Sequence, residues 1–397
     1  MKDSMFKLYT PDYYKEFRCK AGDCNDTCCT AWEIDIDEDT YNLYRNKAEE
    51  LEINGKDPDF CEKLKKYIVK DEAIHFDLSG RTYCPFFTEE GLCEIQLKMG
   101  EKALCQICSD HPRYYEYFPD RKEAGIGICC EKACELVMFH DEPVCFEEKY
   151  LPASELLNDN FEISDEDNHE SSDEYSEKEE SFNALNNFLF DVRSAVIEVI
   201  QNRKLSFAYR IEFVIKIAEY IQDMMEDALL FGDELRDPYE VINDIEQESI
   251  DISETDEHAL LPENIYNLNE LKSLLEEHLQ AVPLKNEWHE LISDLYNNLE
   301  LLLNIEKDFY DTHKDAAVRY EQLITYFVFR YACKALYDGD FLTKIKFAAD
   351  SVCIIHLIEM YAYSKGIDLN HENMIRIASA YSKEIEYSEE NMNMFMY

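Results

Sequence analysis

Thirteen of the fifteen cysteines fall between Cys19 and Cys145, and most of them come in close groups. The first group is Cys19-x4-Cys24-x3-Cys28-Cys29, followed at once by Thr30-Ala31-Trp32. The second is Cys84-Pro85-Phe86-Phe87, then Cys93, then Cys105-x2-Cys108 running into His111-Pro112-Arg113. The third is Cys129-Cys130-x3-Cys134. Thiolates are soft ligands, and pairs held on turns let two or three of them converge on one ion. The wide gaps between groups let separate segments be cross-linked through that ion. The pattern points to a metal.

Spacing narrows the choice. A radical S-adenosylmethionine enzyme needs Cys-x3-Cys-x2-Cys; Cys24-x3-Cys28 begins that triplet, but Ala31 stands where the third cysteine is required. A zinc ribbon needs two Cys-x2-Cys pairs, and only Cys105/Cys108 fits, with His111 available as a third ligand. Thiolate-rich groups without a matching ribbon favour an iron-sulfur cluster, with zinc as the alternative. Adjacent pairs such as Cys28/Cys29 and Cys129/Cys130 are not expected to place both sulfurs on one ion. The isolated Cys61, Cys145, Cys333 and Cys353 read as small buried apolar residues.

The elements that must position these groups differ along the chain. The first 150 residues are cut by turn-forming runs: Ala21-Gly22-Asp23, Asn54-Gly55-Lys56-Asp57-Pro58, Ser79-Gly80-Arg81 and Phe118-Pro119-Asp120. Elements this short do not easily build one regular core, and coordination free energy would supply the missing constraint. From Asn158 to Ser181 the chain is acidic and Ser-rich with few apolar anchors, which predicts a disordered linker or exposed loop. A second acidic stretch, Asp233 to Glu257, is punctuated by Val241, Ile242, Ile245, Ile250 and Ile252. Beyond the linker the apolar spacing is helical. Trp288, Leu291, Ile292, Leu295, Leu299 and Leu302 share one face, and similar stripes run over about 182–200, 206–231, 320–337, 341–364 and 372–387. The expectation is a mainly α protein. A cysteine-rich, metal-stapled N-terminal domain would span 1–157, an acidic linker 158–181 and a helical bundle 182–397.

Composition excludes several functions. With 39 Lys+Arg against 86 Asp+Glu the formal charge is −47. A polyanion of this kind repels nucleic-acid backbones and anionic membrane surfaces, and it favours cationic partners. No apolar run approaches the roughly 18 residues of a membrane helix, and Met1-Lys2-Asp3-Ser4-Met5-Phe6 does not read as a signal peptide. A cytoplasmic location is the expectation, and reduced thiols there suit metal binding better than disulfides. A Rossmann fold is not expected. Its glycine turn is approached only by Gly125-Ile126-Gly127, which runs into Ile128-Cys129-Cys130 with no third glycine.

One set of residues carries a resemblance. It comprises Phe17-Arg18-Cys19-x4-Cys24-Asn25-Asp26-Thr27-Cys28-Cys29-x2-Trp32-x-Ile34-x-Ile36-Asp37, Cys84-Pro85-Phe86-Phe87 with Leu92-Cys93-x-Ile95-Gln96 and Gly100-Glu101, and Cys108-x3-Pro112-Arg113 followed by Cys130. In these motifs, and more loosely in Tyr320-Glu321-Gln322-Leu323-Ile324-Thr325-Tyr326-Phe327 and the helix after Asp340, the chain resembles the flagellin lysine-N-methylases of the FliB type. Its Cys-Pro-Phe and Cys-Cys signatures are also similar to those of cysteine-rich zinc- or iron-chelating proteins. The resemblance implies methyl transfer from S-adenosylmethionine to surface lysines of flagellin, with an iron-sulfur cluster (4Fe-4S) as cofactor. Carried over by position, the family's cysteines fall on Cys19, Cys24, Cys28, Cys29, Cys84, Cys93, Cys108 and Cys130. Cys105, Cys129 and Cys134 lie outside that pattern, and His111 stands where the family more often has an aromatic residue. Neither a catalytic base nor an adenosine pocket is identified. Aromatic faces hold sulfonium and ammonium cations, and Tyr114, Tyr115 and Tyr117 are the densest ring group beside a matched motif. The alternative reading is a non-catalytic zinc- or iron-binding module that docks on basic protein partners.

Overall fold

Asp37 caps the first α-helix among the described residues, because its carboxylate accepts the Thr40 N–H at 2.8 Å. That helix belongs to a computed structural model describing residues 5–29, 34–71, 73–81, 83–152, 172–231, 234–248, 260–262 and 265–397. In chain order, strand β1 (Met5–Pro11) precedes α1 (Glu38–Asn54), which ends at Gly55 in the left-handed region. The helix α2 (Pro58–Lys66) opens with proline, whose missing N–H is not needed there. A small hairpin, β2 (Ile68–Lys70) and β3 (Ile74–Phe76), leads to the short helices α3 (Glu94–Met99) and α4 (Gln106–Asp110). Then follow β4 (Arg113–Tyr117), β5 (Arg121–Ile126), α5 (Glu131–Met138) and β6 (Phe146–Pro152).

The remaining elements are helices: α6 (Ser172–Ile200), α7 (Phe207–Phe231), α8 (Pro238–Glu248), α9 (Leu268–His278), α10 (Glu287–Thr312), α11 (Ala316–Tyr331), α12 (Ala335–Asp338), α13 (Phe341–Ser364), α14 (His371–Glu386) and α15 (Glu389–Met396). The apolar stripes read from the sequence coincide with α6, α7, α10, α11, α13 and α14. Trp288, Ile292, Leu295, Leu299 and Leu302 of α10 are buried, as that spacing requires. The chain is mainly helical, and no Rossmann arrangement is present among the described residues. The acidic segment 158–181 lies outside the described residues as far as 171. Its last ten residues differ from the expectation, because they form the opening turns of α6. There the helix carried by the apolar stripe extends back into charged sequence. Likewise Val241, Ile242 and Ile245 are buried on α8, inside the second acidic stretch.

The chain divides into two compact units. One consists of Met1–Lys15, Tyr115–Gly125 and Glu135–Tyr397, the other of Glu16–Tyr114 and Ile126–Cys134. The first unit carries the long helices together with a four-stranded sheet of order β4-β5-β1-β6. In that sheet β1 runs parallel to β5, with Tyr9 opposite Glu123, and antiparallel to β6, with Leu8 opposite Lys149. The second unit holds twelve cysteines, from Cys19 to Cys134, and it has an apolar core of its own. Ile34, Ile36, Tyr44, Phe60, Leu64, Phe76, Phe86 and Ile95 are buried together, and the rings of Phe60, Phe76 and Phe86 meet at 5.4–6.1 Å between centroids. This departs from the expectation of elements too short to pack. The aromatic residues between the cysteine groups bury enough surface to give even short elements a shared interior.

Isolated cysteines behave in two ways. Cys61, Cys333 and Cys353 are buried as expected, whereas Cys145 is exposed just before β6, its thiol turned to the Pro143 carbonyl.

The helical unit also contains a strained carboxyl. Asp350 on α13 accepts the Tyr266 hydroxyl at 2.7 Å, and burial pushes its pKa up from 3.8 to about 6 against the pull of that hydrogen bond. Such a group adds stability below pH 4 that is lost as pH rises through about 6. Asp350→Asn, which keeps an acceptor for Tyr266, should therefore raise the melting temperature at pH 7.5 and leave it unchanged near pH 4. The expected gain at the higher pH is roughly 2 kcal/mol, less than the full shift because water still reaches part of the carboxyl. Thermal denaturation at the two pH values checks it.

Candidate functional site

All eight cysteines named from the resemblance lie in the second unit, and their electrostatic neighbours sort them into two sets. Cys24 feels Cys130, Cys19 and Cys28; Cys130 feels Cys28 and Cys19. Cys108 feels Cys105, Cys29 and Cys84, and Cys84 feels Cys93, Cys105 and Cys28. Cys28 adjoins both sets, and its thiol also bonds to Cys29 and His111. Among the described residues, no three His, Cys, Asp or Glu side chains converge as ligands of one ion would. The metal-stapled arrangement is therefore not part of the observed geometry. The donor set itself is a crowd of soft thiols, whose chemistry fits a thiophilic centre.

Crowding sets the state of these thiols. Burial, followed by the neighbouring sulfurs and Glu131, pushes Cys24 up to about 12. The hydrogen bond to Cys29, then burial, pushes Cys28 up to about 12 against His111. Burial pushes Cys84 up to about 11 and also raises Cys93 and Cys130, although backbone N–H groups at the starts of α3 and α5 oppose those two shifts. Cys105 and Cys108 share one hydrogen bond, which holds Cys105 down as the acceptor and Cys108 up as the donor. Cys24, Cys84, Cys93 and Cys130 are held protonated mainly by lack of water, Cys28 and Cys108 first by the hydrogen bonds they make to neighbouring thiols.

Backbone contacts bring the groups together. The Cys84 N–H donates to the Cys29 carbonyl at 2.9 Å, which ties the first group to the second. A Cβ on Gly22 would stand 3.2 Å from the Glu90 carbonyl oxygen, and Gly91, at φ +76°, lies against Gly22. Two glycines thus let the loop before Cys24 touch the turn before Cys93. The third group is tied by Glu131, a residue the sequence reading did not single out. Its buried carboxylate accepts the Asp26 N–H at 2.8 Å and the Asn25 N–H at 3.3 Å, with Lys20 at 3.6 Å. The only hint in the sequence was its place next to Cys130. Phe17 and Arg113, both within the resemblance motifs, meet as ring and guanidinium at 5.1 Å.

In the helical unit, the rings of Tyr115 and Tyr117 face the Lys122 ammonium at 4.1 and 4.8 Å, so two of the three rings read as cation holders already engage a cation of the chain itself. The other resembling segment, Tyr320 to Phe327, lies within α11 and is wholly buried despite its polar residues. Four of them find partners inside that unit, while the Thr325 hydroxyl has none among the described residues. Tyr320 donates to Glu359 at 2.7 Å and stands 3.0 Å from His356. Glu321 pairs with Arg203 and Arg210, and Gln322 donates to the carbonyls of His140 and Glu142. Tyr326 donates to Glu386 at 2.9 Å. Near the end of the same helix the Phe329 carbonyl accepts from Arg193, which is also paired with Glu123 at 2.6 Å.

Residues 193–397 match the family model of the FliB lysine N-methylase C-terminal domain. The chain is also similar to the lysine-N-methylase of Salmonella typhimurium, 26% identical over 141 residues, which is 36% of this chain and 35% of that protein. A lysine-N-methylase of Salmonella choleraesuis matches to the same extent. The flagellar biosynthetic protein FliU of Salmonella muenchen is 26% identical over 139 residues, 35% of this chain and 81% of FliU. The match thus spans about a third of the length of the two lysine-N-methylases. No solved structure matches the chain.

The Glu131 clamp can be tested directly. Glu131→Ala should leave two backbone donors without their acceptor, a loss of about 2 kcal/mol in local stability, and speed hydrogen exchange at Asn25 and Asp26 by about 30-fold. Glu131→Gln, which retains one acceptor oxygen, should show a smaller effect. Exchange mass spectrometry over residues 19–29 reads both.

Proposed function

This chain belongs to the FliB lysine N-methylase family, and on that premise we propose that it is a protein-lysine methyltransferase using S-adenosylmethionine, with surface lysines of flagellin as the acceptors. The match over residues 193–397 carries the reading, and the names of the similar Salmonella proteins support the choice of lysine and of a flagellar substrate. S-adenosylmethionine supplies, when bound, a methyl group on a sulfonium centre. An acceptor lysine must arrive without its proton, since an ammonium has no lone pair to attack with. The formal charge of −47 favours encounter with a lysine-bearing surface and disfavours nucleic acid. Among the described residues no helix is long and apolar enough to cross a membrane, and a cytoplasmic setting, before the substrate is exported, belongs to the same reading.

The same proposal includes an iron-sulfur cluster, with zinc as the alternative. The thiols that would hold it are Cys19, Cys24, Cys28 and Cys130 on one side and Cys29, Cys84, Cys93 and Cys108 on the other. Its contribution would be structural, binding segments of the second unit together, because methylating an amine moves no net electrons.

Incubation of anaerobically purified full-length protein with flagellin and methyl-labelled S-adenosylmethionine tests the activity. Label on lysine side chains is the expected result; none, from metal-loaded protein, would overturn it. Tight metal binding without affinity for S-adenosylmethionine would favour the non-catalytic module instead. A brown sample containing iron and sulfide is expected. Cys28→Ser should lower the metal content and the melting temperature together, while unchanged metal content would make that residue a packing group only.

A further inference from the structure

A hollow of about 180 Å³ opens at the amino end of α7, lined in part by Arg203, Ser206, Phe207, Arg210, Leu260 and Val318. Its charge is unusual for a chain with more than twice as many acids as bases. Arg203 reaches the Glu321 carboxylate with Nε at 3.0 Å and a terminal nitrogen at 2.9 Å, and Arg210 reaches the other oxygen at 2.6 Å. Two guanidinium groups therefore share one carboxylate, which leaves one positive charge in excess. Glu321 is fully buried and Arg210 is 3% exposed, so water does little to screen that excess. The Nε of Arg210 has no hydrogen-bond partner among the described residues. Arg203 is partly exposed and leaves the hollow open to solvent.

The backbone adds to the field. Ser206 caps α7 by accepting the Tyr209 N–H at 3.3 Å, and the first turn of this 25-residue helix runs along the hollow. A helix start concentrates unpaired N–H groups and the positive end of the helix dipole, which favours an anion there. The walls from Phe207, Leu260 and Val318 are apolar.

We propose that this hollow binds the anionic end of a small ligand, a carboxylate or phosphate group attached to an apolar body or free in solution. The surplus guanidinium charge neutralises the anion, and Phe207 with Val318 covers the apolar part. Two sources supply that chemistry: the amino-acid carboxylate of S-adenosylmethionine, and inorganic phosphate. The site itself rests on the hollow and its arginines, and only the first source rests on the methyltransferase reading.

Calorimetric titration of the full chain with inorganic phosphate, and separately with S-adenosylmethionine, tests the site. Arg203→Gln removes the surplus charge at the more exposed arginine. Val318→Trp fills the hollow without touching the Glu321 pairs. At least one probe should bind the unaltered protein, and each variant should weaken that binding tenfold or more with the helical circular dichroism unchanged. Competition between the two probes would assign the site to the carboxylate of S-adenosylmethionine, and phosphate binding without competition would assign it to free phosphate. Heat from neither probe would overturn the proposal, as would binding that survives both variants. S-adenosylmethionine bound equally by all three proteins would remove this site and leave the methyltransferase reading standing. Phosphate binding lost in the variants, with no S-adenosylmethionine binding anywhere, would do the reverse.

Discussion

A group able to carry charge can be buried only beside one that satisfies it, and both units of this protein are organised around that constraint. In the helical unit the answer is an opposite charge. Glu321 is buried with two arginines, Arg193 lies against Glu123, and Glu359 is approached by Arg319 and Tyr320. Removing one member of such a set leaves its partner in a medium that cannot solvate it. The helices that carry them, α6, α7, α11 and α13, are thereby fixed in one packing, since any sliding would part a charge from its mate.

In the cysteine-rich unit the answer is protonation. Thiols there are dry and close to one another, so most are held as neutral S–H. A neutral thiol packs as a small apolar residue, which is how Cys84 and Cys105 come to sit in the same core as Phe60 and Phe86. The same sulfurs would change character around a cation, because thiolates that repel one another in the dry interior would each be stabilised by the shared positive centre. The aromatic core and the ties through Glu131, Gly22 and the Cys29 carbonyl draw the segments that carry these donors toward one another.

The helices were legible because their signal is local and repeated: an apolar residue every three or four positions needs only a buried face. The sheet was not, since β1 pairs with β5 and β6 from more than a hundred residues away, and no short pattern in Met5–Pro11 announces those partners. Burial of the α11 polar residues was hidden for the same reason. Glu321 and Gln322 look like a solvated face until Arg203, Arg210 and the turn at His140–Glu142 are brought to them. The cysteine groups were visible as types and spacings. Their division into two neighbour sets was not, because it depends on which loops touch, and Gly22 against Gly91 is a contact across almost seventy residues.

Family membership and the thiol constellation are independent facts about this chain. The matched residues 193–397 contain only Cys333 and Cys353, both buried, and Cys333 donates to the Leu189 carbonyl within the helical unit. The grouped cysteines all precede residue 135. The helical unit carries its buried charges on its own residues, Glu321 with Arg203 and Arg210 and Glu123 with Arg193, so what fixes its packing is separate from the thiol groups that distinguish the other unit.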